Sequence, residues 1–452
     1  MPVHFATEFQ AALGGPPDAV DRLSVSGTGD LLSAYRVTDL AVASIGVAGL
    51  AAAELVESVT GKAREVSVDR ALASAWFGSA VAPVGWSLPS VWDPLARNYR
   101  AKNGWIRLHT NAPPHRAAAL AVLGALADPS DVRRAVRRWD AAELETAIVA
   151  AGGCAAVMHS RQEWLAHPQG TAVQREPLLD WRDGSARVGG DQPDITPERP
   201  LSGLRVLDLT RVIAGPVATR FLAGLGAEVL RVDPPGWNEA AIVPNMTLGK
   251  RAARLDARTP EGRDRLRELI STADVLVHGY RLGALDGLGL DMQARQGLRP
   301  GLIDVSLNAY GFTGPWARRR GFDSLVQMSN GIAHRGKAWA GADSPTPLPV
   351  QALDHATGYL LAAATLRAVV LRRADGVGRI VRSSLARVGA ALVGGGDLPP
   401  DRALVARPEP TQPLETGWGE ARMLRPPLEI AGVPFAFDQP PRELGTDEAR
   451  WA

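Results

Sequence analysis

The chain has 452 residues, 46% hydrophobic and 22% charged, with 50 Lys+Arg against 48 Asp+Glu. This balance excludes a wholly disordered chain, a collagen and a coiled coil, and a net charge of +2 does not announce a nucleic-acid partner. The single cysteine, Cys154, excludes an internal disulfide framework and fits a reducing compartment. In chain order, residues 1–30 read as irregular, broken by Gly14-Gly15-Pro16-Pro17. The opening MPVHFATEFQ lacks a basic segment followed by a long apolar run, so no secretory signal is expected. Between Asp39 and Glu54 runs an apolar stretch of 14 residues, mostly Ala, Val and Gly, short of the roughly 20 a bilayer needs. They read as a core helix within an Ala-rich run over 38–58, and a cytoplasmic protein without a membrane span is the expectation.

EVSVDRALASAW (65–76) predicts a strand passing into a helix. Residues 80–100, rich in Pro, Trp and Gly, predict a loop, and the alternation in 104–110 predicts a strand. Helices are expected over 114–126 and 130–152, the second broken near Trp139-Asp140. Its Arg133-Arg134 and Arg137-Arg138, four apart, read as a solvated helix face. Residues 182–203 are polar and rich in Gly and Pro, and predict a linker at a domain boundary.

Beyond it, LRVLDLT (204–210), a turn at Ala214-Gly215-Pro216, a helix and AEVLRVD (227–233) make one βαβ unit. Strands over 251–257, 274–280 and 301–311 continue it into an open α/β sheet of Rossmann-like type. The first turn, TRVIAGPVATR, lacks G-x-G-x-x-G, which disfavours NAD or FAD. Residues after 321 read as helical to Arg373, GRIVRSS (378–384) as a strand, and 398–452 as an extended tail. No zinc spacing, Walker loop or G-x-S-x-G elbow occurs, and no metal site is expected.

Two segments, 38–73 and 353–388, match without gaps at one fixed offset. Each is an Asp, a long apolar helix, a Gly turn and a strand, with Arg64/Arg379, Val66/Val381 and Ala71/Ala386 in register. The frame reads as a partial internal duplication.

LSGLRVLDLTRVIAGPVATRFLAGLGAEVLRVDPPG (201–236) resembles the opening of the class III CoA-transferases, the family of formyl-CoA and carnitine CoA-transferases and α-methylacyl-CoA racemases. The likeness continues through LGKRAARLDARTPEGRDRL, ADVLVHGYRLGALDGLGLD and LPVQALDHATGYLLAAATLRAVVLRRADGVGRIVRSSL, to about residue 390. The first half resembles other parts of the same family. The resemblance implies an α/β protein: a Rossmann-like large domain at 200–397, a smaller α+β domain at 86–190, a partial large-domain copy at 1–85 and the tail at 398–452. It implies that Asp354 is a nucleophile toward an acyl-CoA thioester, passing through a mixed anhydride and an aspartyl-CoA thioester to an acceptor acid. Asp39, its counterpart in the first copy, reads as a helix cap.

By the same resemblance, CoA is held at Val212, Ile213, Ala214, Lys250, Arg251, Tyr280 and Arg281, as a substrate rather than a resident cofactor. The motif around Arg281 reads GYRLG, without the family's Asn and Pro, and Gly394-Gly395-Gly396 matches either a mobile cover or a linker. Partners implied are acyl-CoA and a carboxylic acid, in a homodimer or a pseudo-dimeric single chain. A catalytically idle acyl-CoA-binding relative or partner subunit is the alternative. A racemase is disfavoured because Phe322 stands where that branch carries its His base.

Overall fold

The computed structural model describes residues 2–187, 194–399 and 401–452. The βαβ pattern of the second half builds a seven-stranded sheet: β1 (Asp180–Ala186), β2 (Arg205–Leu209), β3 (Glu228–Asp233), β4 (Arg251–Arg254), β5 (Val275–His278), β6 (Ile303–Asn308) and β7 (Val377–Ser384). The spatial order is β4-β3-β2-β5-β6-β7-β1, parallel except for β1, which runs antiparallel to β7. Val275 on β5 pairs with Val206 on β2 and with Ile303 on β6, a stretch buried on both faces as parallel strands under helices must be. The chain winds from β2 out to β4 on one side and from β5 out to β7 on the other. The strand order therefore reverses between β2 and β5, where open α/β sheets form a crevice beyond the carboxyl ends of the strands.

Four helices matter for the site: α1 (Val37–Thr60), α2 (Ala214–Gly224), α3 (Asp323–Ser329) and α4 (Ala352–Asp375), the last packed against the other three. Every residue of α1 from Val37 to Ala53 is buried, because α4 lies along it. α1 is long and apolar enough to cross a membrane, and 94% of its apolar window is covered by the rest of the protein. On its other side α4 meets α2 at Gly358, where a Cβ would fall 2.4 Å from the Ala214 carbonyl oxygen. Only Gly lets the two backbones approach so closely.

α1 and α4 have the same length, 24 residues, and the same ends. The residue before each has nearly the same backbone (Arg36 φ −79°, ψ 61°; Gln351 φ −76°, ψ 65°). Each ends on a left-handed glycine, Gly61 or Gly376, whose N–H returns to the carbonyl of Glu57 or Arg372. The strand after each leads into a helix capped at the same offset. Asp69 accepts from the Leu72 N–H, and Ser384 from the Arg387 N–H.

The smaller unit is an antiparallel sheet of Asn98–Arg100, Trp105–Leu108 and Ala155–Val157 under the helices Pro113–Leu123, Pro129–Val136 and Ala141–Ala150. Asp128 and Asp140 cap the last two, which explains the break at Trp139-Asp140.

Three expectations change. Residues 1–30 are not irregular: Pro2–Leu13 is a helix that buries Phe5, Phe9 and Leu13. The expected linker begins inside β1, so the 86–190 unit ends earlier than expected; a polar edge strand needs only β7's free backbone edge. The 398–452 segment is not merely an extended tail. Gln412–Thr416 and Gly419–Met423 form a hairpin against Val81–Pro83, and Leu428–Ile430 pairs with Val66–Asp69. Residues 188–193 of the linker and Pro400 lie outside the described residues.

Candidate active site

Asp354 lies in the first turn of α4 and is buried. Its backbone N–H and that of Leu353 donate to Oδ2 of Asp323, at 3.0 and 2.8 Å. A carboxylate from α3 thus caps α4, a role its own N-cap residue, Gln351, does not fill. The other Asp323 oxygen accepts from Gln327 Nε2, and Gln327 Oε1 accepts from the Leu348 N–H at 2.8 Å. The Asp354 carboxylate itself has no hydrogen-bond or salt-bridge partner among the described residues.

Burial raises the Asp354 pKa well above the usual carboxylate range, and the neighbouring Asp323 charge raises it further. Burial also lifts Asp323, to about 6, against the stabilising pull of the Asp354 amide, Gln327, the Leu353 amide and the Arg107 charge. The two carboxyls thus form an interacting acidic pair at a helix start.

Three parts of the chain meet here. From the first half, Phe77 stacks on His355, next to Asp354, at 5.2 Å between ring centroids. From the smaller unit come Arg107 and His109, and His109 lies flat on Phe322 at 3.7 Å. Burial and the Arg107 charge lower the His109 pKa to about 3, so the ring is neutral. Arg107 and His109 of the smaller unit thus lie beside the Asp354–Asp323 pair within a single chain. Sequence reasoning missed Phe77, Arg107 and His109 as site neighbours, since nothing local marks them. Asp323 follows Phe322, and nothing in the local sequence marks it as the cap of a helix that starts about thirty residues later.

The turn Val212-Ile213-Ala214 stands at the carboxyl end of β2, at the reversal of strand order, and Tyr280-Arg281 stands at the end of β5 beside it. Arg211 Nη2 donates to the Tyr280 hydroxyl at 3.3 Å and links the two ends. Val212 is the one non-glycine with positive φ (64°) among the described residues. A β-branched residue in that region is strained by about 1–3 kcal/mol, and such strain gathers at functional turns. Its N–H donates to Glu239 Oε1 at 2.6 Å. The turn reaches α4 through the Ala214–Gly358 contact, one helical turn beyond Asp354. Arg281 is exposed beside Arg320, and the neighbouring Gly283 lies against Arg318, so a basic rim borders the crevice.

Lys250 and Arg251 do not join this rim. Lys250 is fully buried, and its ammonium donates to Asp208 Oδ2, the Pro216 carbonyl and Thr219 Oγ1, at 3.0, 2.9 and 2.6 Å. It holds the start of α2 from beneath and has no donor left for a phosphate. Arg251, on the outer strand β4, donates to the Arg450 carbonyl under the C-terminal segment. Asp39 is paired too: Arg70 joins it and Asp30, both at 2.7 Å. Within Gly394-Gly395-Gly396, Gly395 packs against Phe5, where a Cβ would fall 2.2 Å from the ring.

Residues 201–411 match the model of CoA-transferase family III. This segment is similar to CoA-transferase family III. A probable fatty acyl-CoA transferase of Mycobacterium tuberculosis is 34% identical over 215 residues, 44% of this chain and 54% of that protein. A human succinyl-CoA:glutarate CoA-transferase is 30% identical over 231 residues, 47% of this chain and 52% of that protein. A crystal structure of the M. tuberculosis protein is similar at 35% identity with a TM-score of 0.41, covering 44% of this chain and 57% of that one. The chain spans about half the length of the curated relatives it matches. Asp354, the Val212–Ala214 turn and Tyr280-Arg281 all lie within the matched segment.

Proposed function

We propose that the protein transfers CoA from an acyl-CoA to a carboxylic acid, with Asp354 as the nucleophile. The observation that carries this reading is a buried, unpartnered carboxylate on α4, one turn from the contact with the βα turn at the sheet's reversal point, inside the segment similar to CoA-transferase family III. The relatives named as acyl-CoA transferases and as a succinyl-CoA:glutarate CoA-transferase support it.

The ionised Asp354 adds to the thioester carbonyl, the C–S bond breaks, and CoA leaves as thiolate from a mixed anhydride. The thiolate then attacks the aspartyl carbonyl, releasing the donor acid and leaving an aspartyl-CoA thioester. An acceptor carboxylate attacks that thioester and expels CoA. The thiolate returns to the acceptor's acyl carbon, and Asp354 is restored. Asp323 holds the first amides of α4 and keeps Asp354 in a place water does not solvate, which strengthens it as a nucleophile once ionised. The crevice between the ends of β2 and β5 takes CoA, with Arg281, Arg318 and Arg320 facing its phosphates.

The first half serves as a degenerate second copy. Its shared helix ends support duplication, and the Arg70 ion pairs leave Asp39 structural. A homodimer remains open to the family reading, while the single chain already brings the smaller unit to the cleft. The direct test is transfer itself: the protein, a panel of acyl-CoA donors and free mono- and dicarboxylic acids, with new CoA thioesters separated by chromatography. New thioesters that vanish in Asp354→Asn support the reading. Retention of acyl-CoA with no exchange across the panel replaces it with a binding role.

A further inference from the structure

A second cavity, of about 390 Å³, opens away from the residues of the Asp354 pair. Its lining comes from three separate parts of the chain: Tyr35 just before α1, Ser160 and Arg161 of the smaller unit, and His334, Arg335 and Asp397 of the second half. Tyr35 is only 4% exposed, yet its hydroxyl has no hydrogen-bond partner among the described residues. The ring is held by its burial while the hydroxyl lines the cavity, where it is free to donate to a ligand. Arg161 donates one long bond, 3.4 Å, to the Val393 carbonyl, which leaves most of its guanidinium unused.

Arg335 gives the chemistry of the occupant. Its Nε and Nη2 both donate to one carboxylate oxygen of Asp397, on a half-exposed ion pair. The cavity thus already receives one carboxylate, supplied by the chain, and keeps a second guanidinium, an imidazole and a phenol around the remaining space. Its size exceeds one carboxylate group and suits a short carbon skeleton.

We propose that this cavity binds a small organic carboxylate. The ligand carboxylate lies between the Tyr35 hydroxyl and the Arg161 guanidinium, and competes with Asp397 for Arg335. Because the lining joins the first half, the smaller unit and the second half, an occupant ties together the three parts that also meet at Asp354. The assignment does not depend on the transfer reaction.

Titration calorimetry of the full chain with succinate tests it, with succinamide as the neutral control and inorganic phosphate as the competing anion. The expected result is one saturable succinate site, unchanged in Asp354→Asn, at least tenfold weaker in Arg161→Gln and weaker in Tyr35→Phe. Asp397→Asn frees Arg335 and tightens binding severalfold, an effect that a misfolded variant cannot imitate. Absence of saturation, equal heat from succinamide, or binding lost in Asp354→Asn but kept in Arg161→Gln overturns the assignment. Phosphate binding as tight as succinate makes this a general anion site and overturns the carboxylate identity.

Discussion

At Asp354 the protein keeps a carboxyl where solvation would not place one. A buried acid with a raised pKa opposes folding once it ionises, so its effect on stability has a fixed sign. Below the ordinary aspartate pKa the protonated group carries no penalty, and stability falls as pH rises through the raised folded value. Asp354→Asn is therefore expected to melt higher than wild type at pH 8, with the gap narrowing as pH falls toward 5. A calorimetric series over that range checks both the sign and the trend. Asp39, by contrast, is paired with Arg70. Arg70→Leu leaves two buried carboxylates with only longer contacts, Asp30 to Arg402 at 3.3 Å and Asp39 to Arg36 at 3.6 Å, and is expected to destabilise the fold by about 3 kcal/mol in chemical denaturation. Asp39→Asn is expected to leave CoA transfer within about twofold of wild type.

At the scale of elements, the contact of α2 with α4 sets the distance between the strained turn and the carboxyl pair. Gly358→Ala inserts a methyl against the Ala214 carbonyl and is expected to destabilise by about 1–3 kcal/mol, with a raised KM for acyl-CoA. Val212→Gly relieves the left-handed backbone and is expected to raise stability by about 1 kcal/mol. The elements themselves were legible in the sequence. β2, β3 and β5 are short apolar runs between turn residues, and the Asp–helix–Gly frame marked α1 and α4. β1 was hidden because DWRDGSA is polar, and an edge strand draws on the neighbour's backbone rather than on an apolar pattern. Pro2–Leu13 was hidden by the Gly-Pro break after its C-terminal end. The candidate site was singled out in the sequence at Asp354 and at the Val212 turn, which the Ala214–Gly358 contact brings near each other. It was not legible at Lys250, whose residue type suits a phosphate but whose burial beside Asp208 gives it another task. Phe77, Arg107 and His109 reach the site from distant positions in the chain, a proximity that only the tertiary fold creates.

At the scale of the molecule, α1 is the hinge of the arrangement, a helix apolar on nearly every side that the second half must cover. The two halves depend on each other: residues 1–187 expressed alone are expected to aggregate, and co-expression with the rest to restore a soluble complex on size exclusion. The same dependence brings the smaller unit to the Asp354 cleft, where the first half supplies Phe77 and the second half Asp354, the proposed nucleophile. The most direct measurement of that assignment is the intact mass of the protein after brief incubation with an acyl-CoA, combined with peptide mapping. The account predicts a CoA-sized adduct, discharged by hydroxylamine, located at Asp354 and absent from Asp354→Asn; an adduct at Asp39, or equal labelling of Asp354→Asn, would contradict it.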